Sequence, residues 1–159
     1  MTEYYEKKLK QGLEYQDFVF DQLRKMDAMP IFLGSYASQE YQYKKGESLS
    51  GLEIKYDDKL KTTGNLYIEY QEKTEASNID FKPSGIMRDD NTWLYLIGNY
   101  EQAFIFMKKA LKAYCLWALD KALIEAKTCS QGTSRGYILP MKLALENAYL
   151  GGHHIIFSK

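Results

Sequence analysis

The sequence predicts an α+β domain in which a mixed β-sheet of about five strands is flanked by helices. Three observations predict it: an amphipathic helical period near the N-terminus, strict two-residue alternation in the middle, and a second long helical pattern after residue 107. The order helix, several strands, helix, helix is typical of an α+β fold. With 159 residues and 45% hydrophobic side chains, the chain has the size of one domain, residues 1–159.

The first predicted element is a helix over residues 6–26. Its apolar side chains recur at spacings of three, four and seven and form one stripe: Leu9, Leu13, Phe20 and Leu23. Residues 27–30 end the helix at a proline. Residues 31–33 are then a short strand candidate, and residues 34–50, rich in Tyr and Gln, are interpreted as a strand and a loop.

The clearest pattern lies in two segments that alternate apolar and polar side chains. Residues 52–57 are Leu-Glu-Ile-Lys-Tyr-Asp, and residues 66–71 are Leu-Tyr-Ile-Glu-Tyr-Gln. Strict alternation predicts half-buried strands. The connection over residues 58–65 ends in Gly-Asn, which is a turn signal. We therefore expect two adjacent antiparallel strands.

The second half of the chain predicts further strands and two helices. Residues 93–97 and 103–107 are buried strand candidates, and residues 108–127 carry a helical spacing of apolar side chains. Pro140 is placed to open a last helix, which ends before two glycines near residue 150. His153 and the histidine after it point apart in an extended segment, so a tail or an edge strand is favoured over a metal site.

Composition excludes several classes of protein. The net charge is zero, which excludes a strongly basic nucleic-acid binder, although residues 1–100 carry −4 and residues 101–159 carry +4. Two cysteines, Cys115 and Cys129, make neither a disulfide framework nor a zinc pattern. The sequence shows no signal-peptide segment and no apolar run of the roughly 20 residues that a membrane helix needs, so we expect no membrane partner and a cytoplasmic location.

The two alternating strands also predict a cluster of charged side chains. Residues two apart share one face of a strand, so Glu53, Lys55 and Asp57 project together from the first strand. Glu69 and Gln71 project together from the second. If the strands pair with Lys55 opposite Glu69, all five polar side chains lie on one face, with opposed Cβ atoms about 5 Å apart.

Such a cluster has two interpretations. Clustered carboxylates repel unless a cation compensates, and Mg²⁺ prefers hard oxygen ligands and keeps several waters. A lysine beside the metal can orient the attacking water, and the metal neutralises charge on a scissile phosphate. In the alternative interpretation, the face is a solvated strand surface with a Lys55–Glu69 cross-strand pair.

Residues 46–57 and 63–69 carry a family resemblance. Glu53-Ile54-Lys55-Tyr56-Asp57 followed by Thr63-Gly64-Asn65 and Ile68-Glu69 resembles the core of the PD-(D/E)XK nuclease superfamily, in particular its small phage- and mobile-element-type members. The order of predicted elements also matches the α-β-β-β-α-β core of that superfamily. The resemblance implies a restriction-endonuclease-like fold, Mg²⁺ or Mn²⁺ as cofactor, and hydrolysis of phosphodiester bonds in DNA.

The resemblance leaves two registers for the catalytic motif. In the first, which we favour, Glu53 is a metal ligand, Lys55 positions the water, and the upstream acid is Glu47 or Glu40, where the family usually has Asp. Asp57 and Glu69 then neighbour the site. In the second, Asp57 is the upstream acid and Glu69-Tyr70-Gln71 is the motif, with Gln71 in place of the lysine.

The remaining candidates are side chains at the edges of the predicted site. Glu14 on the first helix matches an accessory acid of some members, although an exposed helix carboxylate is an equal interpretation. Candidate DNA phosphate contacts come from basic side chains in the second half: Lys108, Lys109, Lys112 and Arg135.

Three function classes follow from these expectations. The leading hypothesis is a Mg²⁺-dependent deoxyribonuclease, an enzyme with DNA as partner and with a homodimer as an open possibility, since nucleases that cut both strands are often dimers. The second is a catalytically inactive nuclease-like binding module of a phage or mobile element. The third is an oligomeric structural protein whose carboxylates serve solubility.

Overall fold

The computed structural model describes residues 3–25, 51–146 and 153–157. The described helices are α1 (Glu3–Lys25), α2 (Leu60–Thr63), α3 (Lys108–Asp120) and α4 (Met141–Glu146), with a 3₁₀ turn at Gly85–Met87. The described strands are β1 (Leu52–Tyr56), β2 (Asn65–Glu72), β3 (Lys82–Pro83), β4 (Leu94–Gly98), β5 (Gln102–Met107), β6 (Glu125–Thr128), β7 (Ser134–Pro140) and β8 (His153–Ile156). The predicted α+β class is confirmed. The strand and loop candidates at 31–50 lie outside the described residues.

The described chain forms two compact units, each made of separated segments. The first takes its residues from 1–58, 91–105 and 154–159, and the second from 59–90 and 106–153. Instead of one sheet of about five strands, the described strands form two sheets of four. None of the described helices is both long and apolar enough to span a bilayer.

The first unit is built from α1 and the sheet with strand order β1-β4-β5-β8. The apolar stripe of α1 buries Tyr15, Val19 and Leu23, which are spaced four residues apart and therefore share one face. This face belongs to the same core as Leu52 and Ile54 of β1. The predicted helix and the predicted apolar face of the first strand are thus confirmed, and together they fix how β1 presents its other face.

The predicted pairing of the two alternating strands is wrong. β1 pairs with β4 in parallel, and β2 pairs with β3 and β7 in antiparallel fashion, in the other sheet. The connection at 58–65 is not a tight turn, because it contains α2, which ends at Gly64 in the left-handed conformation. A two-residue period shows that a strand has two different faces, but it does not select the partner strand.

The second unit holds the antiparallel sheet β3-β2-β7-β6 and helix α3. Alternate residues of β2, Leu66 and Ile68, are fully buried, as their spacing predicts. A register shift between Glu69 and Gln71 places a β-bulge at Tyr70, opposite β7. The bulge interrupts the two-residue alternation on which the shared face of Glu69 and Gln71 was predicted.

Residues 121–128 do not continue the predicted helix over 108–127. The helix ends at Asp120, Ala122 takes a positive φ of 54°, and β6 follows. Residues 125–128 pair with 135–138 of β7, and this pairing overrides the helical preference of the local sequence.

The observed elements after residue 134 agree more closely with those predicted from the sequence. Pro140 is the last residue of β7 and comes directly before α4, which begins at Met141. His153 and His154 lie in β8 at the end of the first sheet, so the edge-strand interpretation is confirmed. The His154 ring stacks on Phe104 at 4.5 Å between centroids.

Two glycines of the second unit predict different costs on mutation. Gly85 has φ +48°, and a Cβ there would lie 2.2 Å from the main-chain oxygen of Glu69, whereas Gly64 has φ +66° and no atom within 4 Å of its Cβ position. We expect Gly64→Ala to lose about 1–2 kcal/mol of unfolding free energy, the cost of the left-handed conformation. Gly85→Ala should lose clearly more, because the backbone of β2 must also move. Urea unfolding of both variants measures the difference, and equal losses would contradict the close approach.

Candidate functional site

Strand β1 places Glu53 and Lys55 on one side, opposite the face that packs on α1. The Lys55 ammonium lies 3.0 Å from Oε1 of Glu53. The Glu53 side chain is fully buried, whereas that of Lys55 is 34% exposed. The first three residues of β1 are buried and its last two are half-buried, and in register Glu53 lies beside the buried Tyr95 of β4. The structure therefore brings together the acid and the lysine of the first predicted register.

Asp57 follows β1 and is also buried, at 7% exposure. Its N–H donates to the carbonyl oxygen of Gly98 at 2.7 Å, which continues the parallel ladder. Asn99 follows β4 in the same way and is equally buried, and its Oδ1 accepts the N–H groups of Glu101 and Gln102. Carboxyl ends of parallel strands are where ligands bind in open sheets. Asp57 therefore stands at the edge where chemistry is expected.

Three tyrosines surround this edge within the first unit. The rings of Tyr15 and Tyr56 lie 5.0 Å apart, and each lies 5.5 Å from the ring of Tyr100. The pKa of Tyr15 is raised, first by burial and then by Tyr100, Tyr56 and the Asp57 carboxylate. Burial is the main cause of this rise in pKa, and the Asp57 carboxylate adds the smallest of the four contributions. Tyr15 stays protonated there at neutral pH.

Asp58 forms an ion pair with Lys8 of the first helix. Its Oδ2 lies 2.7 Å from the Lys8 ammonium, and this hydrogen bond raises the pKa of Lys8. Glu14 is an exposed helix carboxylate with Lys10 one turn away at 3.8 Å. This arrangement matches the alternative interpretation of Glu14, an exposed acid on the helix surface.

The described acids do not make a complete metal site. Within the described residues, no group of three or more His, Cys, Asp or Glu side chains is arranged to hold a metal ion. The upstream acids of the first register, Glu40 and Glu47, lie outside the described residues. Among the described acids of the first register, Glu53 is buried on β1 and Asp57 is buried just after it.

Glu69 and Gln71 of the second register lie in the second unit and make contacts there, whereas its third residue, Asp57, belongs to the first unit. The Ser84 hydroxyl donates to Oε1 of Glu69 at 2.6 Å. The Arg135 guanidinium donates to Oε1 of Gln71 at 3.3 Å. The predicted hairpin with Asp57 does not exist, because β1 and β2 belong to different sheets. The second register has therefore lost the strand pairing on which it was based.

The predicted phosphate contacts divide into buried and exposed side chains. Lys108 is 6% exposed, and its ammonium contacts the Asp90 carboxylate at 2.5 Å and the Arg88 carbonyl oxygen at 2.8 Å. This lysine neutralises a buried acid of the second unit, so the prediction of a surface contact is wrong for it. Lys109 and Lys112 are exposed on α3.

Arg135 also has a partner besides Gln71. It is an exposed residue of β7, and its guanidinium carbon lies 4.0 Å from the centroid of the Phe81 ring. The residue therefore belongs to a strand and contacts side chains of its own unit. Its charge remains at the surface of the second unit.

The contacts of Cys129 with Thr133 and Ser134 were not predicted from the sequence. Its half-buried Sγ accepts the Ser134 N–H at 3.3 Å and lies 3.6 Å from the Thr133 hydroxyl. Burial alone would raise the pKa of this thiol, but the hydrogen bonds from Ser134 and Thr133 prevail and lower it to about 7. A cysteine that opens a short turn rich in Ser and Thr is the sequence signal that was available.

Comparisons with protein-family models, with curated proteins and with solved structures find no match to this chain. The resemblance to PD-(D/E)XK nucleases consequently depends on the motif residues themselves.

The two cysteines predict different alkylation rates. Thiolates are the reactive species, so Cys129 should react with iodoacetamide with a rate that rises with pH to a midpoint of about 7. Cys115 is buried, and burial raises its pKa to about 12, so it should stay unmodified in the folded protein. Mass spectrometry of pulsed samples gives both rates. Thr133→Val should move the Cys129 midpoint upward, and a parent midpoint at the ordinary value of 9.0 would contradict the hydrogen-bonding account.

The buried pair predicts a coupled effect on stability. Lys55→Met leaves the Glu53 carboxylate buried without its ammonium, and we expect a loss of about 1–3 kcal/mol in unfolding free energy. The double variant Glu53→Leu/Lys55→Met should recover part of this loss, because an apolar pair carries no desolvation cost. Urea unfolding of the single and double variants measures the coupling.

The exposed pair on α1 supplies the control for this cycle. Lys10→Met removes a helix-surface ion pair and should change stability by only about 0.5 kcal/mol. Additive effects of the Glu53 and Lys55 substitutions would show that the two side chains do not interact.

Proposed function

We propose that the protein is a Mg²⁺-dependent nuclease that hydrolyses phosphodiester bonds in DNA, with Glu53 and Lys55 as its central residues. The single observation that carries the proposal is their contact: an acid and a lysine two residues apart lie 3.0 Å from each other on one side of a buried strand. This is the pair that the Glu-x-Lys motif requires. The pairing of β1 with β4 supports the first register and gives the second no support.

Each side chain has a separate role in this proposal. When bound, Mg²⁺ would activate a water molecule and neutralise the charge that develops on the scissile phosphate. Glu53 and Asp57 would contribute carboxylate oxygens to it. Lys55, one third exposed, reaches from the buried Glu53 towards solvent and would position the attacking water. Glu47 or Glu40 would supply the upstream acid of the motif.

A second candidate is a nuclease-like binding module without catalysis. The observation that favours it is the complete burial of Glu53, since a carboxylate enclosed with its lysine can serve the packing of β1 alone. The incomplete set of acids among the described residues points in the same direction. Under this candidate, the surface around Tyr56 and Tyr100 would bind a partner instead of a metal.

Plasmid nicking with Mg²⁺ or Mn²⁺ separates the two registers of the nuclease. We expect Glu53→Gln and Lys55→Met to lose about 100-fold or more in rate, because a metal ligand and a water-positioning group are removed. Glu69→Gln is the matched control, because it removes an acid of the second register, and it should keep the parent rate. Circular dichroism confirms that each variant is folded. Equal rates in the parent, Glu53→Gln and Lys55→Met would contradict the assignment.

Calorimetric titration with Mn²⁺ separates the enzyme from the binding module. The nuclease requires saturable binding that Glu53→Gln weakens. A parent protein that neither binds Mn²⁺ nor nicks DNA would support the module instead.

A further inference from the structure

The second unit presents an edge strand, β6, whose outer side is open within the described chain. β6 is the last strand in the order β3-β2-β7-β6, and all four of its residues, 125–128, are exposed. An open edge offers a row of N–H and C=O groups that can pair with another strand. Edges of this kind are used for strand addition between chains.

The ladder with β7 determines which backbone groups of β6 point outward. The N–H of Cys129 donates to the carbonyl oxygen of Ser134, which makes these two residues a hydrogen-bonded pair. Antiparallel pairs alternate along the ladder, so the backbone of Lys127 and Glu125 also points towards β7. The backbone groups of Ala126 and Thr128 therefore point away from β7, and those of Ile124, one step before the strand, do the same.

We infer that β6 pairs with β6 of a second copy of this chain, in antiparallel fashion, about a two-fold axis at Ala126. In this register, Ala126 opposes the same residue of the second copy, and Ile124 opposes Thr128. These are the residues with outward backbone groups, so they form the hydrogen-bonded pairs of the new ladder. A two-fold interface of this type is self-complementary and closes after two copies.

The charges of β6 select this register over its neighbours. With the axis at Ala126, each Glu125 faces Lys127 of the other copy, which gives two opposite-charge pairs across the interface. With the axis at Lys127, two lysines face each other, and with the axis at Glu125, two glutamates do. Within one chain these two side chains already lie 2.5 Å apart, so they share one face of the strand. The dimer would form an alternating row of four charges.

An apolar surface lies just before β6 in the same unit. Four large side chains at and after the end of α3 are 38–51% exposed: Leu116, Trp117, Leu119 and Leu123. Exposed apolar clusters of this kind mark interaction surfaces, and tryptophan is enriched in them. Leu123 is two residues before the strand and 48% exposed, so an apolar side chain is available close to the start of the proposed interface.

The lysine of β6 also fits a protective role, in which it prevents strand addition. That role predicts that the protein is a monomer. The charge-reversal variants of Glu125 and Lys127 distinguish this role from the dimer. Neither the dimer nor its test depends on nuclease activity, so failure of the nuclease proposal leaves this inference standing.

Sedimentation velocity of the full chain over a concentration series tests the pairing. The parent should dimerise, and Glu125→Lys or Lys127→Glu should each weaken the dimer by about tenfold or more, because two opposite-charge pairs become like-charge pairs. The double exchange Glu125→Lys/Lys127→Glu restores opposite charges in the same register and should restore the dimer. A dimer that both single reversals leave unchanged would place the interface elsewhere and overturn the proposal.

Backbone variants at the axis give a second test. Ala126→Pro removes an outward N–H that the ladder with β7 does not use, so the folded monomer should persist and the dimer should be lost. Ala126→Val keeps the N–H and should keep the dimer. A parent that stays monomeric at every concentration would refute the inference. In that case, destabilisation of the monomer by Ala126→Pro would assign the edge to another segment of the same chain.

Discussion

The parallel pairing of β1 with β4 is the constraint on which the candidate site depends. The first three residues of β1, Leu52 to Ile54, are all buried, so this half of the strand is covered on both faces. β1 nevertheless alternates apolar and charged residues, so its second face must enclose a carboxylate. Glu53 is fully buried for this reason, and Lys55 lies 3.0 Å from it. The same pairing places Asp57 at the carboxyl edge of the sheet, where its N–H continues the ladder to Gly98.

The sequence located the strands of the site but could not pair them. The predicted strands 52–57, 66–71, 93–97 and 103–107 agree with the observed β1, β2, β4 and β5 to within one residue at every end. Alternation reports that a strand has two different faces, and it carries no information about which strand lies beside it. The contact of Glu53 with Lys55 could be predicted because it is local. The predicted pairing of Lys55 with Glu69 was wrong, because it depended on the choice of partner strand: β1 pairs with β4, and the strand of Glu69 pairs with β7.

Burial and register account for the other differences. Residues 121–128 have the composition of a helix, yet they turn at Ala122 and pair with β7, because tertiary pairing outweighs a weak local preference. Lys108 has the position of an exposed lysine at a helix start, but a buried acid, Asp90, binds it. The partner of Lys108 lies 18 residues away, so no local pattern reports it. The partner of β6 is the next strand, β7, and a helical period does not report that pairing.

The energetic cost of burying a charge limits the possible reasons for the Glu53–Lys55 pair. Replacing a buried ion pair with apolar side chains of similar volume is often neutral or stabilising, so a requirement for stability alone does not explain why Glu53 and Lys55 are present. In a catalytic site the priority is reversed: charged groups are held in a fixed geometry even where this lowers stability. The partial exposure of Lys55 fits this second requirement, because its ammonium stays in contact with solvent while it lies 3.0 Å from Glu53. The pair thus joins a buried carboxylate to a group that solvent can reach.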